Sequence, residues 1–205
     1  MRQIVSKLRF TVIFTAAFTI SSFLFSFLSW GQTVPGSSVI SELKTDVPGL
    51  LGHMAAHALL GALAALSTLS VAPVLTAALG AMFIDVDHIG YYLELPMEGR
   101  ASHSLLFAMS SGVLVFWLTR RGWFGREVPP LVASSIAVAS VLAHIALDSI
   151  TGDPFIPVWM PFYRGLVTVP PPVGVLIEAI AVIAVWAATI APYRWGKFQE
   201  RQTPA

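Results

Sequence analysis

The chain has 205 residues, of which 56% are hydrophobic and 11% charged, and its mean hydropathy is +0.75. Soluble domains carry about 25% charged residues, so this composition excludes an ordinary water-soluble protein and predicts a membrane protein. The net charge of +1 offers no basic surface for nucleic acid, and the lack of cysteine excludes disulfides, cysteine zinc sites and thiol catalysis.

Six apolar segments predict an all-α, polytopic bundle of about six transmembrane helices in one membrane domain, residues 1–205. In chain order they are Phe10–Trp30, Leu50–Ser70, Pro73–Asp85, Ser102–Thr119, Leu131–Ile150 and Val173–Ala191. The first segment exceeds the 7–15 apolar residues typical of a signal peptide and no clear cleavage site follows it, so we expect a retained helix. The third segment is the shortest, and proline-rich linkers separate most of the others.

The basic residues predict that both chain ends lie on the inner side of the membrane. With six spans and an inner N-terminus, the outer segments hold only Lys44, Arg100 and Arg164. The inner segments hold the other nine, namely Arg2, Lys7, Arg9, Arg120, Arg121, Arg126, Arg194, Lys197 and Arg201. Lys and Arg are enriched in inner loops, so this bias favours an N-in, C-in topology and a short third segment that spans.

All five histidines and several aspartates fall at the outer ends of the predicted helices. In chain order, His53 and His57 open the second segment, Asp85, Asp87 and His88 close the third, His103 opens the fourth, and His144 and Asp148 lie near the end of the fifth. Asp85 with His88, and His144 with Asp148, have i,i+3 and i,i+4 spacings that place each pair on one helix face. Random placement would have scattered such residues over both membrane faces.

This clustering predicts a divalent metal site, with zinc preferred and manganese or iron as alternatives. Imidazole and carboxylate ligands together suit these ions, and carboxylates near membrane depth need a neutralising cation or proton. A single histidine at a helix end is more often an interfacial or hydrogen-bonded residue, and we interpret His53 in that way. The expected ligands are His57, Asp85, Asp87, His88, His103, His144 and Asp148.

Five short motifs follow one another in a recognisable order. They read His57-Ala-Leu-Leu-Gly61, Asp85-Val-Asp-His88, Ser102-His103-Ser104, His144-Ile-Ala-Leu-Asp148 and Trp159-Met-Pro-Phe162. In order and approximate spacing they resemble the YdjM-like family of inner-membrane-associated, metal-dependent hydrolases. The resemblance covers about Gly52–Phe162, within a metal-site core of residues 50–165, and leaves the first and last helices outside. It implies an inner-membrane hydrolase and favours His57 over His53 as a ligand.

One motif departs from the family pattern. Relatives often carry His-Arg-Gly before the Ser-His-Ser element, whereas this chain has Glu98-Gly99-Arg100-Ala101. Glu98 therefore stands where a histidine is expected, and the arginine is displaced. A carboxylate can replace imidazole as a ligand, so Glu98 stays a candidate catalytic residue, but the shift could equally change or abolish activity.

The expected function is hydrolysis of a phosphoester or lipid-like substrate at the outer membrane face, with membrane lipid as the surrounding partner. Asp87 is predicted as a bridging ligand or general base. Arg100 and Arg164 are placed to hold an anion such as phosphate, because guanidinium matches its oxygens. Two alternatives stay open: a proton or metal transporter, which would place its site at mid-depth, and a non-catalytic, metal-stabilised scaffold, which would leave no open coordination position.

Overall fold

A computed structural model of the chain describes residues 2–31, 47–87, 100–124, 128–151, 156–160, 162 and 167–202. The helices are α1 (Arg2–Ser26), α2 (Val47–Ala65), α3 (Val71–Met82), α4 (Leu105–Arg120), α5 (Pro130–Thr151) and α6 (Pro171–Gln202). Turns of 3-10 helix extend α1, α2 and α3, and another, Ala101–His103, precedes α4. The described residues include no named strand, only an isolated bridge between Ile156 and Val167. The predicted all-α class is thus confirmed.

The six helices correspond to the six apolar segments of the sequence. Four are long and apolar enough to cross a membrane, at Leu8–Ser29, Leu51–Thr68, Pro130–Thr151 and Pro171–Ile190; two shorter apolar helices lie at Val71–Val86 and Leu105–Arg120. Large apolar side chains such as Leu8, Val113 and Ile183 point outward and are more than half exposed. Because water would not solvate so much apolar surface, the chain is an all-α membrane bundle.

Helix α5 is the centre of the bundle. Two thirds (67%) of its membrane window is buried, against 22–33% in the other three long helices. Small residues line its contacts: the Ser140 side chain lies against Gly80 of α3, and Ser134 donates to the Gly112 carbonyl of α4 over 2.9 Å. Small residues and interhelical hydroxyl bonds are typical of membrane helix interfaces, where apolar burial alone cannot distinguish protein from lipid.

Local chemistry explains where several helices begin. Helices α5 and α6 both start at a proline, at Pro130 and Pro171, where the missing N–H would have had no partner anyway. Pro73 is accommodated in the first turn of α3 for the same reason. The Ser104 hydroxyl caps α4 by accepting from the Phe107 amide over 3.2 Å. That cap fixes the direction in which the chain leaves His103.

Contacts between helices show that α1, α3 and α5 run in one direction and α2 and α4 in the other. Helix α1 meets α3 in parallel, because Thr76 of α3 donates to Thr11 over 3.0 Å and Ser22 donates to the Ile84 carbonyl over 2.9 Å. Helix α2 is antiparallel to α3, and a Cβ placed on Gly61 would collide with the Ala77 carbonyl. This alternation brings the start of α2, the end of α3, the start of α4 and the end of α5 to one end of the bundle.

Candidate metal centre

Polar side chains from four elements meet at that end of the bundle. Helix α2 contributes His53 and His57, the turn after α3 contributes Asp85, the segment before α4 contributes Arg100 and His103, and α5 contributes His144 and Asp148. We call His53, His57, Asp85, His103, His144 and Asp148 the His/Asp cluster. The side chains of His57, His103, His144 and Asp148 are at most 1% exposed, whereas that of His53 is 31% exposed. The cluster is therefore a buried pocket whose accessible side lies at His53.

The four imidazoles form two pairs, and in each pair the Nε2 atoms face one another. The Nε2 atoms of His53 and His57 are 2.9 Å apart, and those of His103 and His144 are also 2.9 Å apart. The first pair comes from one helix, whereas the second joins the α4 entry to α5. All four rings thus turn the same nitrogen toward the centre of the cluster.

The two carboxylates lie between the imidazole pairs. Asp148 is 3.3 Å from His57 through Oδ1 and 3.6 Å from His144 through Oδ2. Asp85 is 3.3 Å from both His103 and His144 through Oδ1, and 3.8 Å from both His53 and His57 through Oδ2. Each carboxylate therefore presents one oxygen to each pair of imidazoles.

The outer nitrogens of the second pair have partners that fix ring orientation. His144 Nδ1–H donates to the Ala81 carbonyl over 2.7 Å, and a carbonyl can only accept. In the neutral ring Nε2 of His144 therefore carries a lone pair directed into the cluster. His103 Nδ1 lies 3.2 Å from the Ser102 hydroxyl. Such contacts to the second ring nitrogen are typical of metal-binding histidines, because they hold the ring in its ligating orientation.

Arg100 reaches the cluster from an unusual backbone conformation. Its φ of 49° and ψ of 47° lie in the left-handed region, which a non-glycine residue adopts only at a cost of about 1–2 kcal/mol. One guanidinium nitrogen lies 2.6 Å from His103 Nε2, 3.2 Å from Asp148 Oδ2 and 3.8 Å from Asp85 Oδ1. The positive charge of Arg100 thus sits against the donor atoms of the second imidazole pair.

The cluster has the chemistry and spacing of a metal centre. Three overlapping triads have their ligand atoms within 4.8 Å of one another: His53–His57–Asp85, His57–His144–Asp148 and Asp85–His103–His144. Two ligand atoms about 2.0–2.2 Å from one zinc ion are roughly 2.9–3.5 Å apart at coordination angles of about 90–110°. The 2.9 Å separations between paired Nε2 atoms and the 3.3 Å separations between Nε2 and carboxylate oxygens fall in that range. The residues present therefore fit a divalent ion, which would compete with Arg100 for His103 Nε2 and Asp148.

Most of the predicted site residues that the structure describes come together. His57, Asp85, His103, His144 and Asp148 lie in the cluster, and the Arg100 guanidinium contacts it. The sequence analysis set His53 aside, yet its ring packs edge-on against His57 with centroids 4.4 Å apart. The signal that could have retained it was its i,i+4 spacing from His57, which puts both rings on one face of α2.

Other predicted residues lie outside the described part of the chain. His88, Glu98 and Arg164 are not among the described residues, and for Asp87 only the backbone is described, at the end of the turn Phe83–Asp87. Their assignments as ligand, general base or anion-binding residues stay predictions.

A model of the family described as YdjM inner membrane protein matches residues 49–202. The chain belongs to this family. The match begins at the first turns of α2 and contains every residue of the His/Asp cluster, so the cluster lies within the part of the chain that defines the family. It also continues through α6, beyond the stretch that carries the five sequence motifs. No curated protein and no solved structure gives a significant match to the chain.

Proposed function

We propose that this inner membrane protein is a metal-dependent hydrolase that acts on a phosphoester, lipid-like substrate at the outer face of the membrane. The observation that carries the proposal is the convergence of four imidazole Nε2 atoms on two carboxylates, Asp148 with a side chain 1% exposed and Asp85 with one 9% exposed. A charged group placed in a membrane costs roughly 2.5–3.5 kcal/mol on insertion scales. Arg100 supplies only one positive charge against these two carboxylates, so a bound cation would neutralise the remaining charge.

The residues that would hold the ion are those of the His/Asp cluster, with zinc preferred over manganese or iron. Such an ion supplies Lewis-acid polarisation of the scissile group and a nucleophilic water. The chain itself supplies the geometry, since the Ala81 carbonyl fixes the His144 ring and the Ser102 hydroxyl lies against the His103 ring. Burial of these rings keeps bulk water away from the donor atoms.

Arg100 is the residue we assign to substrate anion binding. Its side chain is 14% exposed, so it borders the buried cluster while remaining reachable from outside. A guanidinium group offers paired N–H donors that match two phosphate oxygens. Held beside Asp85 and Asp148, this cation would orient a phosphoester with its phosphorus toward the cluster.

An apolar groove lined by sequence neighbours of two cluster histidines supports a lipid-like substrate. The groove, about 570 Å³ in volume, lies between α4, α5, α6 and residues 158–159 and 167–170. Its lining includes Leu105, two residues after His103, and Ile145, which follows His144. The Leu105 amide donates to the Val158 carbonyl over 3.0 Å, which fixes one wall of the groove next to the site. An acyl chain in this groove would place a headgroup near the cluster.

The arrangement of basic residues supports a multi-pass topology with the site on the periplasmic or exterior side. Nine of the twelve Lys and Arg residues occur in segments assigned to the inner side, opposite the His/Asp cluster. The alternating directions of α1 to α5 also agree with successive membrane crossings. An outer site is accessible to amphiphiles of the outer leaflet rather than to cytosolic metabolites.

The test is metal analysis and hydrolysis by the full chain purified in detergent. After reconstitution with Zn²⁺ or Mn²⁺, bound metal would be measured by elemental analysis, and bis-p-nitrophenyl phosphate and phospholipid vesicles would be offered as substrates. We expect bound metal and phosphoester cleavage, both lost in a His144→Ala/Asp148→Ala double variant.

Glu178→Gln is the matched control, because Glu178 is a buried carboxyl on α6, 8% exposed, that belongs to no metal-ligand group among the described residues. It should keep both metal and activity. A wild-type protein that binds no metal after reconstitution would overturn the hydrolase proposal. Metal bound tightly without cleavage of any phosphoester would instead favour the metal-stabilised scaffold.

A further inference from the structure

We propose that the cluster binds two divalent ions side by side, bridged by Asp85 and Asp148, with His53 as a ligand of one of them. The inference rests on the metal dependence proposed above and specifies how many ions the site holds. It begins from the division of the four imidazoles into two facing pairs. We call His53 with His57 the α2 pair, and His103 with His144 the α5 pair.

Each pair is complete enough to hold an ion of its own. The two Nε2 atoms in each pair are 2.9 Å apart, close to the spacing of two nitrogens on one ion. One ion equidistant from all four rings would not explain this pairing. In the α5 pair, the His144 Nε2 lone pair faces His103 Nε2, which already lies 2.6 Å from an Arg100 N–H donor. A cation between these two nitrogens would take the place of the Arg100 N–H at His103 Nε2.

The carboxylates have the orientation of bridging ligands. Asp148 directs Oδ1 toward His57 (3.3 Å) and His53 (3.9 Å) of the α2 pair, and Oδ2 toward His144 (3.6 Å) of the α5 pair. Asp85 divides its oxygens in the same way, with Oδ2 toward the α2 pair and Oδ1 toward the α5 pair. Each position therefore has two nitrogen and two oxygen donors.

The spacing between the two positions also fits. His57 and His144, one from each pair, stack with centroids 3.6 Å apart and planes inclined by only 7°. Parallel rings that both direct Nε2 at the same carboxylates would hold the two ions about one ring spacing apart. Ions in two-metal hydrolases are separated by about 3.5–4 Å, where they stabilise both the attacking and the leaving oxygen of a phosphoester.

The proposed set of ligands leaves coordination positions open for water and substrate. Four protein donors per ion leave additional positions on manganese or iron, which accept more than four ligands, and on zinc when it expands to five. Two divalent ions and two carboxylates carry a net charge of +2, which attracts an anionic phosphoester. His53 lies on the accessible side, so the position at the α2 pair is the one nearest to incoming substrate.

Counting Mn²⁺ ions and measuring their coupling tests the inference. The full chain in detergent would be reconstituted with Mn²⁺ alone, desalted, and examined by elemental analysis and electron paramagnetic resonance. We expect two equivalents in the wild type, with the exchange-coupled spectrum of ions about 3.5–4 Å apart. In His53→Ala we expect one equivalent and an uncoupled six-line spectrum, because the α2 pair is broken while the α5 pair is intact.

His53 is the position chosen for substitution because its side chain is partly exposed, so the change should be tolerated in folding. His103→Ala is a second variant, which breaks the other pair. Glu178→Gln should retain two coupled ions. A wild type with one uncoupled equivalent would overturn the two-ion inference while leaving the hydrolase proposal intact. A wild type with none would overturn both, and His53→Ala with two coupled ions would remove His53 from the ligand set.

Discussion

His57 and His144 stack face to face where α2 meets α5, with ring centroids 3.6 Å apart. Both rings are fully buried, and both direct Nε2 at the carboxylates of Asp85 and Asp148. This stack joins two helices that are distant in sequence. Packing of the helices and organisation of the cluster therefore share the same contacts, and each variant at the site needs a stability measurement beside its metal affinity.

The first prediction concerns the charge of Asp148. Asp148→Asn keeps the side-chain volume but removes the negative charge and replaces one ligating oxygen with NH2. Substitution of a residue that only hydrogen-bonds to a ligand lowers metal affinity about 10–100-fold. We therefore expect substitution of a ligand itself to lower the affinity by roughly 100-fold or more. Titration against a chromophoric chelator measures the affinity. Equal affinities in Asp148→Asn and wild type would exclude Asp148 as a ligand.

Two serines flank His103, and we expect one to support the site and the other to support helix α4. Ser102 and Ser104 are both fully buried, but Ser102 contacts His103 Nδ1 and Ser104 caps α4. We expect Ser102→Ala to lower metal affinity about tenfold. Ser104→Ala should instead lower stability by about 1 kcal/mol, with little change in affinity. Chelator titration and thermal unfolding in detergent distinguish them, and the same profile in both variants would contradict the prediction.

Removing the Arg100 charge should affect metal and substrate in opposite directions. The guanidinium competes with an ion for the donor atoms of His103 and Asp148, from 2.6 Å and 3.2 Å. We therefore expect Arg100→Ala to bind metal about tenfold more tightly, because a repulsive charge at this distance is lost. The same variant should raise KM for a phosphoester, because the anion loses its partner.

Arg100→Lys is the control for that prediction. Lysine keeps the charge but lacks the planar pair of N–H donors, so KM should rise while metal affinity stays near that of wild type. Weaker metal binding in Arg100→Ala would show that the arginine supports the cluster rather than competing with the ion.

The sequence predicted most of the fold because one signal, apolar length, determines membrane helices. Each of the six segments matched a helix, even α3, whose 12 residues are short for a span, although α1 begins eight residues before its segment and α6 ends eleven residues after its own. The relative orientation of residues on one helix was also predictable: His144 and Asp148 lie one turn apart and both face the cluster. Spacing along a helix fixes which side chains share a face.

Contacts between helices were harder to predict from the sequence. Nothing in residue order shows that Asp85 directs one oxygen at each imidazole pair, since that depends on the positions of four helix ends. The left-handed backbone of Arg100 brings its guanidinium to Asp148. The sequence does not predict this conformation, because the residue at that position is not a glycine. His53 was set aside because a lone histidine at a helix end is usually interfacial, whereas its ring in fact lies 2.9 Å from His57.

Two glycines of α2 should respond to alanine in opposite ways. A Cβ on Gly61 would collide with the Ala77 carbonyl and lie 2.8 Å from the Ala81 Cβ, whereas a Cβ on Gly52 meets nothing within 4 Å. We expect Gly61→Ala to lower stability by about 1–3 kcal/mol through overpacking. Gly52→Ala should be neutral or raise it by up to about 1 kcal/mol, since alanine favours helix. Thermal unfolding in detergent measures both, and equal effects would argue against close packing of α2 on α3.

The proposed topology predicts which loops a membrane-impermeant maleimide can reach. The natural chain has no cysteine, so single substitutions give labelling without background. Phe162, 86% exposed, comes after α5, which ends at the site, and Trp123, 64% exposed, follows α4 at the opposite end of the bundle. In intact cells we expect Phe162→Cys to be labelled from outside and Trp123→Cys only after lysis. The reverse pattern would place the His/Asp cluster on the cytoplasmic face, where its substrate would come from the inner leaflet.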